Sequence, residues 1–204
     1  MLSLFSIISD DYQRLMKIVL VSGAPGSGKS TIASAIAKKL GIYQTLGTDS
    51  IREVLRYVIP EEESPSLHTS AIKIEEPYRN YPMETVGFMR QADDVKPGIE
   101  AIIKRSIKEE KDLILEGIHL IPGEYEISAQ VEFKNIIVVV DENDHKKYLL
   151  GQREDRSSYK LENFQKARAF QEYLVNKVEG LENSLIVENN GDIEKVEELV
   201  GNIL

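Results

Sequence analysis

Cysteine is absent from this sequence, and so is tryptophan. Without a thiol there is no disulfide, no thiolate nucleophile and no Cys-ligated metal. Histidine is scarce: His68, His119 and His145 lie far apart in the chain, and their spacing does not support a zinc site. Basic residues are in deficit, with 25 Lys and Arg against 34 Asp and Glu and a formal net charge of −9. A general nucleic-acid or membrane-surface binder needs a basic face, so neither partner is expected. No apolar run reaches the ~18 residues that a membrane span requires. The first residues hold Leu2, Leu4, Phe5, Ile7 and Ile8 but no basic start and no small-residue cleavage site, so a signal peptide is not expected. The expected location is therefore cytoplasmic. Met16-Lys17 comes directly before the first strand pattern. Residues 1–15 thus read as an N-terminal extension, with Met16 a candidate start, and residues 16–204 as one domain.

What the sequence does contain is Gly23-Ala24-Pro25-Gly26-Ser27-Gly28-Lys29-Ser30-Thr31. This run fits the phosphate-loop pattern G-x-x-x-x-G-K-[ST] without a gap. Its flanks fit as well. The β-branched run Lys17-Ile18-Val19-Leu20-Val21-Ser22 reads as a buried strand, and Ile32, Ile36 and Leu40 recur at helical spacing up to Gly41. The glycines let successive N–H groups wrap a phosphate, and the helix start adds its positive dipole end. Residues 23–31 are therefore expected to bind a nucleoside triphosphate. Lys29 would reach its β- and γ-phosphates and the Ser30 hydroxyl would ligate Mg²⁺.

Beyond the loop, residues 42–48 suggest a short strand leading to Asp49, and Ser50-Ile51-Arg52-Glu53 a capping box that opens a helix through Val58. Residues 61–82 are polar and punctuated by Pro65, Pro77 and Pro82, and read as an irregular, solvated stretch. A helix is expected from about Met83, interrupted or restarted at Pro97-Gly98 and continuing with Ile99, Ile102, Ile103 and Ile107. Strands are expected at residues 112–117, 135–141 and 184–187. Two helical segments lie between residues 143 and 179, and Ile193, Val196, Leu199, Val200 and Ile203 stripe a closing helix. The order gives an α/β fold of three layers around a parallel sheet of about five strands. Within it, a substrate-binding insert is expected at about 60–110 and a lid at about 150–160. Gly23, Asp49, Gly117 and Asp141 all fall at carboxyl ends of strands, where such sheets bind ligands.

Asp49 is the second anchor. A carboxylate there faces the γ-phosphate and is placed to take the proton of an attacking hydroxyl. Arg52, three residues on, adds an anion clamp on the same face. Glu116 ends an aliphatic strand, where an acid serves Mg²⁺ or its waters, and His119 follows as a candidate substrate contact. Arg153 and Arg156 sit in the polar bridge Arg153-Glu154-Asp155-Arg156-Ser157-Ser158. A hinged segment carrying arginines onto a transferring phosphoryl group stabilises its charge and expels water. The base is expected near Glu188-Asn189-Asn190-Gly191, without a pattern that separates ATP from GTP. A guanine signature and the signature of transporter ATPases are both missing, which disfavours a nucleotide-hydrolysing switch or motor. A nucleoside, a sugar or a hydroxy acid all remain open as the small acceptor, and oligomeric state is not legible.

Several further stretches resemble a known family. They are Gly47-Thr48-Asp49-Ser50-Ile51-Arg52-Glu53-Val54, Val86-Gly87-Phe88 with Gln91, and Pro97-Gly98-Ile99-Glu100-Ala101-Ile102-Ile103-Lys104-Arg105. With them come Leu115-Glu116-Gly117-Ile118-His119-Leu120-Ile121-Pro122-Gly123 and Leu161-Glu162-Asn163-Phe164 followed by Arg168 and Gln171. Together they look like the archaeal 2-phosphoglycerate kinases, over residues from about 17 to 175. The resemblance implies a nucleoside-monophosphate-kinase-like P-loop fold and ATP- and Mg²⁺-dependent phosphorylation of 2-phosphoglycerate to 2,3-bisphosphoglycerate. It also implies that Arg52, Arg90 or Gln91, and His119 lie near the substrate.

Overall fold

The computed structural model describes residues 15–150 and 161–192, together with Glu194 and Glu198. Five strands form one sheet: β1 (Met16–Gly23), β2 (Thr45–Gly47), β3 (Leu113–Gly117), β4 (Val131–Val139) and β5 (Ser184–Glu188). Their order is β2-β3-β1-β4-β5 and every pairing is parallel. The register aligns the carboxyl ends into one crest, with Gly47 beside Glu116, Ser22 beside Gly117 and Gly23 beside Val138. All the phosphate-loop chemistry is therefore launched from the same edge of the sheet.

Both faces are covered, which explains why β1 and β3 read as continuous aliphatic runs. On one face Val19, Val21, Ile114, Ile136 and Val138 pack against Ile32 and Ile36 of α1 (Lys29–Leu40). On the other, Ile18, Leu20, Leu113 and Leu115 meet Val95, Ile99 and Ile103 of α4 (Val86–Lys108). Beside them, Phe170 and Leu174 of α6 (Leu161–Lys177) join Phe88, and the rings of Phe88 and Phe170 stack at 4.3 Å. Among the described residues, no helix is long and apolar enough to cross a membrane.

Four sequence expectations change. The second strand is shorter than residues 42–48, because Thr48 and Asp49 already belong to α2 (Thr48–Val58). The capping box at Ser50 and Glu53 does not form: the cap is Gly47, without a side-chain bond, and Glu53 pairs with Arg56 at 3.2 Å. The fourth strand begins at Val131 rather than Asn135, since β1 pairs with it from Met16 onward. The interruption at Pro97-Gly98 is absent, and α4 runs through Pro97 for 23 residues. Proline there removes one backbone bond, but Val95 and Ile99 are both buried in the same core and hold the two halves in line.

The insert is also less solvated than its composition suggests. It contains α3 (Pro65–His68) and a 3₁₀ turn (Ala71–Lys73), and buries Leu67, Ala71 and Ile72. Polar side chains of α4 tie it down. Asp93 accepts from Tyr78 and pairs with Arg79, while Asp94 accepts from Ser64 and Ser66. From the other side, Lys166 of α6 pairs with Glu75 at 2.9 Å. The expected lid with Arg153 and Arg156, the closing helix and residues 1–14 lie outside the described residues.

Candidate active site

The loop between β1 and α1 turns on Gly26 and Gly28, at φ 79° and 84°, where side chains are strained. Its carbonyls are held outward from several directions. Ser27 N–H and Lys29 Nζ donate to the Ala24 carbonyl at 3.1 and 3.4 Å. His145 Nε2 donates to the Pro25 carbonyl at 2.7 Å, from α5 (Glu142–Leu150). Asn189 Nδ2, just past β5, donates to the Ser27 carbonyl at 2.9 Å. With its oxygens tied back, the loop is arranged as a nest of N–H groups suited to an anion. Burial is the largest influence on His145 and pushes its pKa below the usual value, against the Pro25 carbonyl, which favours protonation.

In front of the loop lies a cavity of about 750 Å³. Gly26, Lys29 and Ser30 line one side of it, and Asp49, Arg52 and Arg56 line another. Asp49 is exposed on the first turn of α2. Arg52 is half-buried and anchored, donating from Nε to the Leu67 carbonyl at 2.9 Å and from Nη2 to the Thr69 carbonyl at 2.8 Å. Desolvation lowers its pKa, with Asp49 and Glu53 opposing the effect. The Ser30 hydroxyl donates to Glu116 Oε2 at 3.1 Å across 86 residues of sequence.

Ser30 and Glu116 thus present two hard oxygens side by side at the foot of the loop. Among the described residues no group of three or more His, Asp or Glu is placed to hold a metal ion, so the candidate site rests on this serine and glutamate pair. That donor set fits Mg²⁺, which takes few protein oxygens and completes its shell with water and phosphate.

The remaining residues singled out by sequence separate. Gln91 lines the cavity. Arg90 does not: it pairs with Glu76 at 2.9 Å and lines a separate groove of about 380 Å³ with Lys73 and Ile74. His119 is fully buried behind the wall, between Thr48 Oγ1 at 2.7 Å and Gln91 Oε1 at 3.0 Å. Burial pushes its pKa down to about 3. Sequence reasoning missed much of the cavity lining, including Thr69, Ser70, Phe88 and Ile118, and the anchoring roles of His145 and Asn189. Asn189 had one pointer, its place at the end of the last strand.

Known proteins agree with this architecture. A family model described as an AAA domain matches residues 18–105. Solved structures share the fold at low identity. A gluconokinase from Sinorhizobium meliloti has a TM-score of 0.55 at 14% identity, covering 93% of this chain and 92% of its own. A deoxyadenosine kinase from M. mycoides with bound dATP has a TM-score of 0.54 at 15% identity, covering 91% and 98%. Sequence relatives are nearer. A protein named 2-phosphoglycerate kinase from Pyrococcus furiosus is 37% identical over 78% of this chain and 55% of its own length. One of the same name from Methanococcus maripaludis (strain C6) is 34% identical over 94% of this chain and 69% of its own. The chain therefore spans only about half to two-thirds of the length of these relatives. Identity at this level, over 78% and 94% of the chain, is that of common descent: the chain belongs to the 2-phosphoglycerate kinase family.

Proposed function

We propose that this protein transfers the γ-phosphoryl group of ATP to the free hydroxyl of 2-phosphoglycerate, giving 2,3-bisphosphoglycerate and ADP. The observation that carries this reading is the continuity of the cavity, which has a phosphate loop on one side and Asp49, Arg52 and Arg56 on the other. Donor and acceptor would then meet without a partner protein.

The loop amides and Lys29 hold the β- and γ-phosphates. Ser30 and Glu116 would hold Mg²⁺, which when bound would neutralise charge building on the phosphate oxygens. Asp49 orients the acceptor hydroxyl and takes its proton as the oxygen attacks phosphorus. The acceptor carries a carboxylate and a phosphate, so cations must offset it. Arg52 and Arg56 face it, and the two bonds Arg52 makes to carbonyls leave Nη1 for the ligand. Being anchored, Arg52 loses little freedom when it binds. Arg153 and Arg156, assigned from sequence alone, would cover the transferring group.

Asp49→Asn tests the assignment. It should lower kcat by roughly 10²–10⁴-fold while ATP affinity, read by fluorescent-nucleotide displacement, stays within about twofold. Equal loss of binding and turnover would make Asp49 structural. The acceptor is tested by ADP release with a panel of phosphorylated and unphosphorylated hydroxy acids, sugars and nucleosides. Hydrolysis that no acceptor stimulates would exclude a small-molecule kinase.

A further inference from the structure

Gln91 has its amide orientation fixed by its neighbours. Its Nε2 contacts two backbone carbonyls, Ser66 at 2.5 Å and Thr69 at 2.9 Å, and carbonyl oxygens only accept. Both amide hydrogens are therefore committed, and Oε1 faces His119 Nε2 at 3.0 Å. An amide oxygen also only accepts, so His119 must carry its hydrogen on Nε2. The ring has no exposure to solvent and stays neutral, which leaves Nδ1 as an acceptor for the Thr48 hydroxyl at 2.7 Å. The hydrogen bonds therefore run one way: Thr48 donates to His119, His119 to Gln91, and Gln91 to the Ser66 and Thr69 carbonyls.

One end of this chain lies next to the cavity and the other is part of its lining. Thr48 is buried and precedes the lining residue Asp49 in α2, while Thr69 lines the cavity together with His68 and Ser70. Arg52, also from α2, holds the same wall through the Leu67 and Thr69 carbonyls. Room for the Thr48 hydroxyl exists because position 117 is glycine: at φ 154° a Cβ there would overlap Thr48 Oγ1. His119 itself lines no part of the cavity.

We propose that His119 is a positioning residue, which acts through Gln91 to hold residues 66–69 at the distance from Asp49 that the acceptor requires. Acceptor affinity then depends on His119 although the ring never touches the acceptor. The nucleotide half, held by His145, Asn189 and Lys29, does not depend on it. The inference rests on the kinase reading above, but part of its test does not.

The independent part is ¹⁵N NMR of the histidine rings in the full chain. His119 should show the Nε2-protonated tautomer, without titration between pH 5 and 8. A proton on Nδ1, or a midpoint near 6.5, overturns the relay. The kinetic part uses His119→Leu and His119→Gln. Leucine should raise KM for 2-phosphoglycerate about tenfold and move KM for ATP less than twofold. Glutamine keeps an acceptor and a donor and should recover most of the loss. Gln91→Leu should match His119→Leu, and the double variant should be no worse than either single one. Equal rises in both KM values, additive losses or no recovery by glutamine would each overturn the proposal. If His119→Leu does not fold, His119→Gln and the tautomer still decide it. A wild-type protein that no acceptor stimulates defeats the kinase reading, and the tautomer then decides the relay alone.

Discussion

His119 enters folding as a group that titrates near neutrality and becomes one that does not. Its ordinary pKa of 6.5 falls to about 3 on burial. Between those values the unfolded chain binds a proton that the folded chain refuses. The stability linked to His119 is therefore complete above about pH 6.5 and is lost as pH falls toward 3, by up to about 1.4 kcal/mol per pH unit. His145 acts with the same sign, since burial lowers it too. The urea midpoint should drop between pH 7 and pH 5, and the drop should be smaller in His119→Gln. An equal drop in both proteins would mean that His119 is not the titrating group. This role was not legible in the sequence, where His119 looks like a substrate contact, because burial belongs to the folded packing and not to the local pattern. Arg90 and Gln91 show the same limit. Neighbours on a helix point about 100° apart, and only the packing of α4 decides that Gln91 faces the cavity. The phosphate loop was legible because its pattern is local. The Ser30–Glu116 pair was legible because each residue is fixed by its own element's end.

At the scale of elements, the packing of α2 on α4 includes one close approach that only glycine allows. Gly98 sits against α2, and a Cβ at that position would come 2.6 Å from Ile51 Cγ2 and 3.4 Å from Leu55 Cδ1. Gly98→Ala should therefore destabilise the protein by about 1–3 kcal/mol through overpacking, despite alanine's better helix propensity. It should also lower kcat, because α2 carries Asp49 and Arg52. Denaturant unfolding and steady-state kinetics on one preparation check both, and a stabilised variant would contradict the contact. In sequence Pro97-Gly98 reads as a break. Proline and glycine are the usual punctuation of helices, and nothing local reveals that this pair is held by burial on either side. The insert was misread for a related reason. Its Glu61-Glu62-Glu63 run and prolines signal a loop, while the residues that order it, Asp93, Asp94 and Lys166, come 15 to 94 positions from the groups they hold.

Over the whole molecule, the loop near the start of the chain is completed by residues from its second half. Asn189 reaches the Ser27 carbonyl across 162 residues and His145 the Pro25 carbonyl across 120. Asn189→Leu removes a buried donor and crowds Gly28, so ATP affinity should fall about tenfold, with acceptor KM at saturating ATP nearly unchanged. Isothermal titration with ATP and acceptor kinetics separate the two effects, and an unchanged ATP affinity would remove Asn189 from the loop's support.

The strand order has a consequence for how the chain is made. β1 sits at the centre of the sheet, yet its first neighbour in sequence order, β3, lies some 95 residues downstream, and β4 about 115. A ribosome therefore releases a strand with an aliphatic centre, Ile18 to Val21, well before either partner exists. Closing loops of that length makes sheet assembly slow, and the waiting strand is a surface on which nascent chains can associate. The topology that gathers every ligand-binding end onto one crest also makes the first strand of this sheet wait longest for its partners.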